Sequence, residues 1–519
     1  MSGSLKAICL LFFAVTLLLP LAAMLSHLAN VDIVRTVTGR AFRKALGNSV
    51  TVGCTATLIS VALAWILAWC TARTRIRFKS VFALLFSLPM LIPSISHGMG
   101  LIILFGSNGV LKNLLGLTGS IYGFWGIVTG SVMYSFPVAY MMLHDVLKYE
   151  DATPYEAAEV LGLSRWRRFA VITFPYLRKP LISVFFATFT MIVTDYGVPL
   201  MIGGKYNTLP VIMYQDVVGL LDFGKGSVVG LILLAPSLIA CILDAMNRDK
   251  GNTAYTTRPF QLRHSKLRDG IAYVLCVLTS LCVLLPIVMF AFISLVRQYP
   301  HDMTLSLQNI LQAGDMGVSG YLTNSVLIAL AVAVIGTAAA VITAYITARM
   351  PGRSSRLLHL LSITSLAVPG VVLGLRYVLF FRGSFIYGTF AILILVNMMH
   401  FFASPYLMMY NLFGKLNGNL EAVGATLGIP RFAILRDVLL PQSWGTIAEM
   451  AAYFFVNSMM TISAVSFLAN VSTKPAALMI TQFEAQNQLE CAAFVSLLIL
   501  LVNLLIKGGT TLVKRRLAR

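Results

Sequence analysis

Long apolar runs recur along the chain, separated by short polar stretches, and most of them carry no charge. A helix rises about 1.5 Å per residue, so crossing a hydrocarbon layer of about 30 Å takes roughly 20 apolar residues. Runs of that length lie near 7–26, 49–70, 81–105, 121–143, 181–202, 227–246, 271–296, 322–346, 358–380, 386–410, 447–468 and 488–506, about twelve in all. The pattern predicts an all-α integral membrane fold. The first run follows one early lysine, Lys6, with no clear small-residue cleavage site ahead of a soluble domain, so it reads as a retained span.

Composition agrees with that pattern. The chain of 519 residues is 58% hydrophobic and 11% charged, more apolar surface than a soluble core hides. Its net charge is +20. If the N-terminus and the loops at 144–180 and 411–446 face the cytoplasm, most of the 39 Lys and Arg fall on that side, as the positive-inside rule requires. Arg73, Arg75, Arg77 and Lys79, and Lys514, Arg515, Arg516 and Arg519, then stand at cytoplasmic span ends. Arg35, Arg40, Arg43 and Lys44 are the exception and would lie outside. The basic charge is thereby assigned to topology and lipid head groups, with no nucleic-acid partner. The seven cysteines form no C-x-x-C pair and read as buried thiols.

The chain also repeats itself. Asn48-Ser49-Val50 recurs as Asn324-Ser325-Val326, Thr71-Ala72-Arg73 as Thr347-Ala348-Arg349, Pro93 as Pro369 and Gly98 as Gly374, always 276 residues on. Gly162 and Pro175 recur as Gly428 and Pro441, now 266 on, so the first half carries about ten extra residues, expected in the loop near 106–120. Both halves run in the same orientation. Parallel repeats of six spans imply two similar bundles related by an axis along the membrane normal, with a path between them. The predicted divisions are a first bundle at 1–246, a polar cytoplasmic linker at 247–270 with Arg248, Lys250, Arg258, Arg263, Lys266 and Arg268, and a second bundle at 271–519.

The first long loop reads Glu156-Ala157-Ala158, three residues, Gly162, nine residues, Ile172, one residue, Phe174-Pro175. Pro154 suits a first helical turn, and Glu156 lies near that N-terminus, where a carboxylate is favoured. Ala157 and Ala158 keep the surface low, and Gly162 ends or bends the helix. A basic segment with Arg165, Arg167 and Arg168 then leads to Pro175. The spacing resembles the "EAA" loop of ATP-binding-cassette (ABC) importer permeases, with Phe174 in place of leucine. In the second half Ala422, Val423 and Gly424 align with Glu156, Ala157 and Ala158, and Glu421 falls one position early.

The resemblance covers nearly the whole chain. It implies two tandem type I importer permease bundles in a bacterial plasma membrane, and ATPase-coupling residues at Glu156, Ala157, Ala158, Gly162, Glu421, Ala422 and Gly428. The implied partners are an ABC ATPase homodimer docked on 150–176 and 416–442, an extracytoplasmic solute-binding protein and membrane lipid. ATP and magnesium would sit on the ATPase, with no cofactor or enzyme site in this chain. The nearest phosphate-loop pattern, Gly219…Gly224-Lys225-Gly226, lacks the Ser or Thr that would meet magnesium. Asp195-Tyr196-Gly197-Val198-Pro199-Leu200-Met201-Ile202-Gly203-Gly204 and Thr461–Leu468 are similar to runs in ferric-iron and 2-aminoethylphosphonate permeases, and do not separate those two solutes.

Ionisable residues inside spans are functional candidates by default. Asp195 and Tyr196 fall where the family lines its gate, although a packing carboxylate is an equal reading of Asp195. Arg376 would either meet an anionic solute or snorkel to the outer interface near Arg382; snorkelling is the expectation. His97 and His400 have no neighbours at metal-ligand spacing. Pro89, Pro93, Pro137, Pro369 and Pro405 are candidate breaks along the path. The competing class is an ion-gradient-driven secondary transporter built from parallel repeats, which would have no need of the Glu-Ala-Ala loop.

Overall fold

The computed structural model describes residues 2–247, 258, 260 and 265–517; Arg248, Lys250 and Arg263 of the expected linker, and Arg519, lie outside them. The apolar runs are helical because lipid offers backbone amides no partner, so each N–H and C=O must be satisfied within its own segment. Nine helices among the described residues are long and apolar enough to span: Ser4–Ala29, Arg40–Arg73, Ser94–Leu115, Phe124–Lys148, Trp166–Thr194, Phe223–Ala240, Lys266–Ser294, Val318–Arg349 and Leu489–Arg516. Two bent pairs, Arg353–Ala367 with Gly370–Phe381 and Phe390–His400 with Ala403–Lys415, raise the number to eleven. The chain is thus a multi-pass membrane protein.

Several expected spans are broken. The run at 81–105 divides into Lys79–Leu91 and Ser94–Phe105. Its counterpart at 358–380 bends by 112°. Pro93 and Pro369 cause both breaks: a proline disfavours helical backbone at the residue before it, and Ile92 and Val368 are both extended. Pro89 lies in the short 3₁₀ turn Leu88–Leu91. Pro137 sits within the unbroken Phe124–Lys148 helix, and Pro405 occupies the first turn of Ala403–Lys415, where its missing N–H has no intrahelical role. The run at 181–202 stops at Thr194 and resumes as Gly197–Ile202. The run at 447–468 is the 21-residue helix Leu440–Met460, which Gln442, Glu449 and Asn457 leave less apolar than the eleven. One short antiparallel hairpin, Val296–Gln298 with Asp302–Leu305, departs from the all-helical expectation.

The halves match element by element. Helix ends at Phe105 and Phe381 are 276 apart, whereas the next helix starts, Phe124 and Phe390, are 266 apart, so the extra residues lie between them and form the helix Val110–Leu115. The repeated residues make repeated contacts. Asn48 donates to the Asn207 carbonyl at 2.8 Å, and Asn324 to that of Ser472 at 3.0 Å. The Ser49 hydroxyl accepts from Leu209 N, and that of Ser325 from Ala476 N, each at 2.8 Å. Each Asn-Ser pair thereby ties the long helix that carries it, Arg40–Arg73 or Val318–Arg349, to the loop and short helix that follow Thr194 or Met460.

The first span of each half packs on the other half. The Ser4–Ala29 span lies against Arg353–Thr364 and Gly370–Phe381, and Lys266–Ser294 lies against Lys79–Ser87 and Ser94–Phe105. A Cβ at Gly100 would stand 2.9 Å from the Pro286 Cβ, which shows how closely the exchanged span approaches. One continuous apolar core consequently runs through both halves.

Candidate coupling surfaces and transport path

The first short loop helix is Thr153–Val160, with Pro154 in its first turn. Gly162 has φ +68°, Leu163 N donates to the Ala158 carbonyl at 3.0 Å, and the helix ends there. The second copy, Leu420–Thr426, ends the same way: Gly428 has φ +70° and Ile429 N donates to the Gly424 carbonyl at 2.8 Å. A left-handed residue with this bonding satisfies carbonyls that a helix end leaves orphaned, and glycine adopts it without a Cβ penalty. Ala158 and Gly424 face inward at equivalent positions, whereas Glu156, Ala157 and Ala422 face out. Val160 and Leu161, 89% and 77% exposed, and Val423 and Leu427, 53% and 69%, add apolar surface that this chain leaves uncovered.

Each loop is tied to the end of its second span by an arginine from the repeated Thr-Ala-Arg triplet. Arg73 pairs with Glu150. Arg349 holds Glu421 through Nε–Oε1 and Nη2–Oε2 contacts of 2.7 Å each, and also donates to the Leu416 and Asn417 carbonyls at 3.0 and 2.7 Å. Such a two-pronged pair sets orientation as well as energy. The two carboxylates come from non-equivalent positions: Glu150 precedes its helix, and Glu421 lies in the first turn of its own. Glu421 is therefore occupied internally, and the outer face of the second helix is carried by Ala422, Val423 and Ala425.

The first loop has additional anchors. The Tyr155 hydroxyl donates to Glu150 Oε1 at 2.5 Å and lies 2.8 Å from the Thr173 hydroxyl. Burial, then the Glu150 carboxylate it donates to, pushes its pKa above the usual tyrosine value. Two linker residues also dock here. Arg258 N donates to Asp151 Oδ1 at 3.1 Å and its carbonyl accepts from Ala152 N at 3.0 Å. The Phe260 ring lies 3.4 Å from the Arg73 guanidinium carbon and 4.9 Å from the Tyr155 ring. Neither Glu150 nor Phe260 stood out in the sequence, and Arg258 did so only as linker charge, because the partners Arg73 and Asp151 are distant along the chain.

Asp195 terminates the Trp166–Thr194 span with extended backbone, and its carboxylate accepts from Val198 N at 3.0 Å and Gly197 N at 3.3 Å. It is buried and caps the helix that follows. Tyr196 is buried and stacks on Tyr214 at 5.2 Å; Tyr214 in turn meets Phe467 of the second half at 5.8 Å. The Asp195–Tyr196 pair thus lies on the seam between the halves.

Arg376 does not snorkel. It is 2% exposed and donates from Nη2 to the Leu17 carbonyl at 2.8 Å. Leu17 lies in a π turn, Ala14–Leu18, in the first span. Such a turn shifts the ladder and changes which carbonyls are free. His97 packs beside Tyr134 and His400 beside Phe401. Among the described residues no group of three or more His, Cys, Asp or Glu is placed to hold a metal ion.

Residues 60–248 and 336–519 match the family described as "Binding-protein-dependent transport system inner membrane component". The chain is 26% identical over 408 residues to the ferric transport system permease protein FbpB of Actinobacillus pleuropneumoniae, covering 75% of this chain and 59% of that protein. It is likewise 26% identical over 406 residues to the putative ferric transport system permease protein FbpB 1 of Haemophilus influenzae, covering 75% and 64%. It therefore spans less than two thirds of the length of these relatives. A bacterial ABC transporter involved in import of the acidic polysaccharide alginate aligns over 46% of this chain and 92% of its own, with a TM-score of 0.37 and 15% identity.

Proposed function

The chain belongs to the binding-protein-dependent transport system inner membrane component family, and on that premise we propose that it is the fused, two-halved permease subunit of an ABC importer. The observation that carries this reading is the pair of glycine-ended short helices, Thr153–Val160 and Leu420–Thr426, each tied by an arginine to a span end and each presenting uncovered small and apolar side chains. Two ATPase subunits docked on these helices would pull on the second and fifth spans directly, because Arg73, Arg349 and the segments ending at Pro175 and Pro441 join them. Leu440–Met460 acts as the twelfth span in this reading, which completes two bundles of six.

A binding protein delivers solute on the opposite side, and the path runs along the seam at Asp195 and Tyr196, with Arg376 as a further candidate. The solute is proposed to be ferric iron or a phosphonate such as 2-aminoethylphosphonate; the likeness to the ferric permeases over three quarters of this chain supports the first. The test is ATPase activity of the permease reconstituted with its neighbouring ATPase and binding protein, screened with both solutes. Stimulation by one loaded binding protein is the expected result. Absence of any ATPase association would overturn the reading in favour of a gradient-driven carrier.

A further inference from the structure

An open groove of about 800 Å³ runs between the helices Val318–Arg349, Leu440–Met460 and Leu489–Leu517, and its walls are almost wholly apolar. Three small residues on one helix face, Ala448, Ala451 and Ala452, make room for it. At the equivalent positions of the first half stand Ile182, Phe185 and Phe186, and Phe185 stacks on Phe189 at 6.4 Å. The burial pattern confirms that register: Met450 and Phe454 are buried, as are Val184 and Thr188. The same helix face therefore carries bulk in one half and a trough in the other.

One end is bordered by Phe432 and Leu435, which directly follow the second short loop helix, and by Val513. Lys514, Arg515 and Arg516 follow Val513 and are exposed. Lys514 is 3.0 Å from Glu449, and among the described residues Arg515 and Arg516 have no acidic partner. Trp444 lines the groove, and an indole is favoured at the level of lipid head groups.

We propose that this groove is a binding site for one anionic phospholipid of the inner leaflet, its acyl chains along the alanine trough and its phosphate at Arg516. The leaflet assignment rests on the reading that the loop helices face the cytoplasm. An apolar trough whose last wall residue, Val513, lies one helical turn before the exposed Arg516 is complementary to an anionic amphipath, and cytoplasmic leaflets attract basic clusters at span ends. The lipid would touch Phe432 and Leu435, so its occupancy would bear on the second loop helix and not on the first.

The test uses the full chain, purified and examined by native mass spectrometry with phosphatidylglycerol and phosphatidylcholine. The wild type is expected to retain one phosphatidylglycerol that Ala451→Phe/Ala452→Phe, which installs the first-half side chains, does not retain. Arg516→Gln is expected to lower the preference for phosphatidylglycerol by about fivefold. A second measurement needs no altered groove: quenching by brominated lipids in nanodiscs, with Trp444 emission taken as the difference between wild type and Trp444→Phe. Stronger quenching by brominated phosphatidylglycerol than by brominated phosphatidylcholine supports the site. Equal quenching overturns the head-group assignment, and no quenching by either means that another protein segment covers the groove and overturns the site. Failure of ATPase association would remove the importer reading and leave these lipid measurements standing.

Discussion

Gly197 lies so close to the Ser94 hydroxyl that a Cβ would not fit, and the other half makes the same contact with the residues exchanged, Gly370 against Ser463. Each pair joins the helix that starts after Pro93 or Pro369 to the segment that follows the helix end at Thr194 or Met460. A second pair of glycines works at the same junction: a Cβ at Gly98 would meet the Met201 Cβ at 2.8 Å, and one at Gly374 the Ala464 carbonyl at 2.6 Å. One small residue per contact is required, but the side of the contact it comes from is free.

That exchange makes an expected rescue. Gly197→Ser alone overpacks the junction against Ser94 and Ile462, at a cost of roughly 1–3 kcal/mol. Combined with Ser94→Gly, which copies the second half, it is expected to recover most of that loss. Melting temperatures of the detergent-purified proteins decide it. A single variant as stable as wild type would mean that the junction is not close-packed.

Glu156 and Glu421 are expected to behave oppositely. Glu156 is exposed, so Glu156→Ala leaves permease stability within about 0.5 kcal/mol and lowers co-purification of the ATPase. Glu421 is held by Arg349, so Glu421→Ala leaves that guanidinium without its carboxylate, on carbonyl partners alone, and costs about 3 kcal/mol. A double-mutant cycle with Arg349→Met separates the pair's coupling from the loss of either side chain. Equal stability loss at Glu156 and Glu421 would contradict the assignment of one to the surface and the other to the interior.

Arg376→Met is expected to keep the fold. Removing a guanidinium with a single carbonyl partner relieves its desolvation and forfeits the Leu17 bond, and these effects offset each other to within about 1–2 kcal/mol. Uptake by the reconstituted transporter is expected to fall if Arg376 meets the solute. A large drop in melting temperature with uptake per folded molecule unchanged would make Arg376 a packing residue between the first span and the other half.

The linker contact at Asp151 is expected to be insensitive to pH across the neutral range. Bonds from Thr153 N, Arg258 N and the Thr153 hydroxyl hold its carboxyl below the usual carboxylate value. A lowered carboxylate contributes fully above its unfolded value, about 3.9, and loses that contribution as pH falls through the folded one. Protease cleavage within 247–270 should therefore stay constant from pH 8 to pH 5 and rise below about pH 4. Asp151→Ala should raise it from pH 8 to pH 5, and the two proteins should converge once the wild-type carboxyl is protonated. A rise in cleavage already at pH 6 would point to a different titrating group.

Much of the site was legible because repeated residues make repeated contacts. Asn48 and Asn324, Ser49 and Ser325, Gly98 and Gly374, and Gly162 and Gly428 do the same work twice, so each pair survives as a match at constant spacing. The spans were less legible at their breaks. Pro93 and Pro369 interrupt their helices and Pro137 does not, although all three stand in apolar runs. Asp195 looked equally like a gate or a packing carboxylate, and its geometry is that of a helix cap. Arg376 was expected to reach for the interface, because the carbonyl it takes, that of Leu17, is 359 residues away along the chain.

The hydrophobic period and the internal repeat, both local or spaced along one chain, were enough to establish a multi-pass helical protein with two like halves and two glycine-ended loop helices. Only the tertiary structure decided that each first span packs on the opposite half, that Glu421 turns inward to Arg349, and that the second half keeps a groove where the first is filled. Apolar side chains drive a helix into lipid or a core without specifying a neighbour, so partner choice depends on shape and on buried polar groups that meet only once the chain is folded.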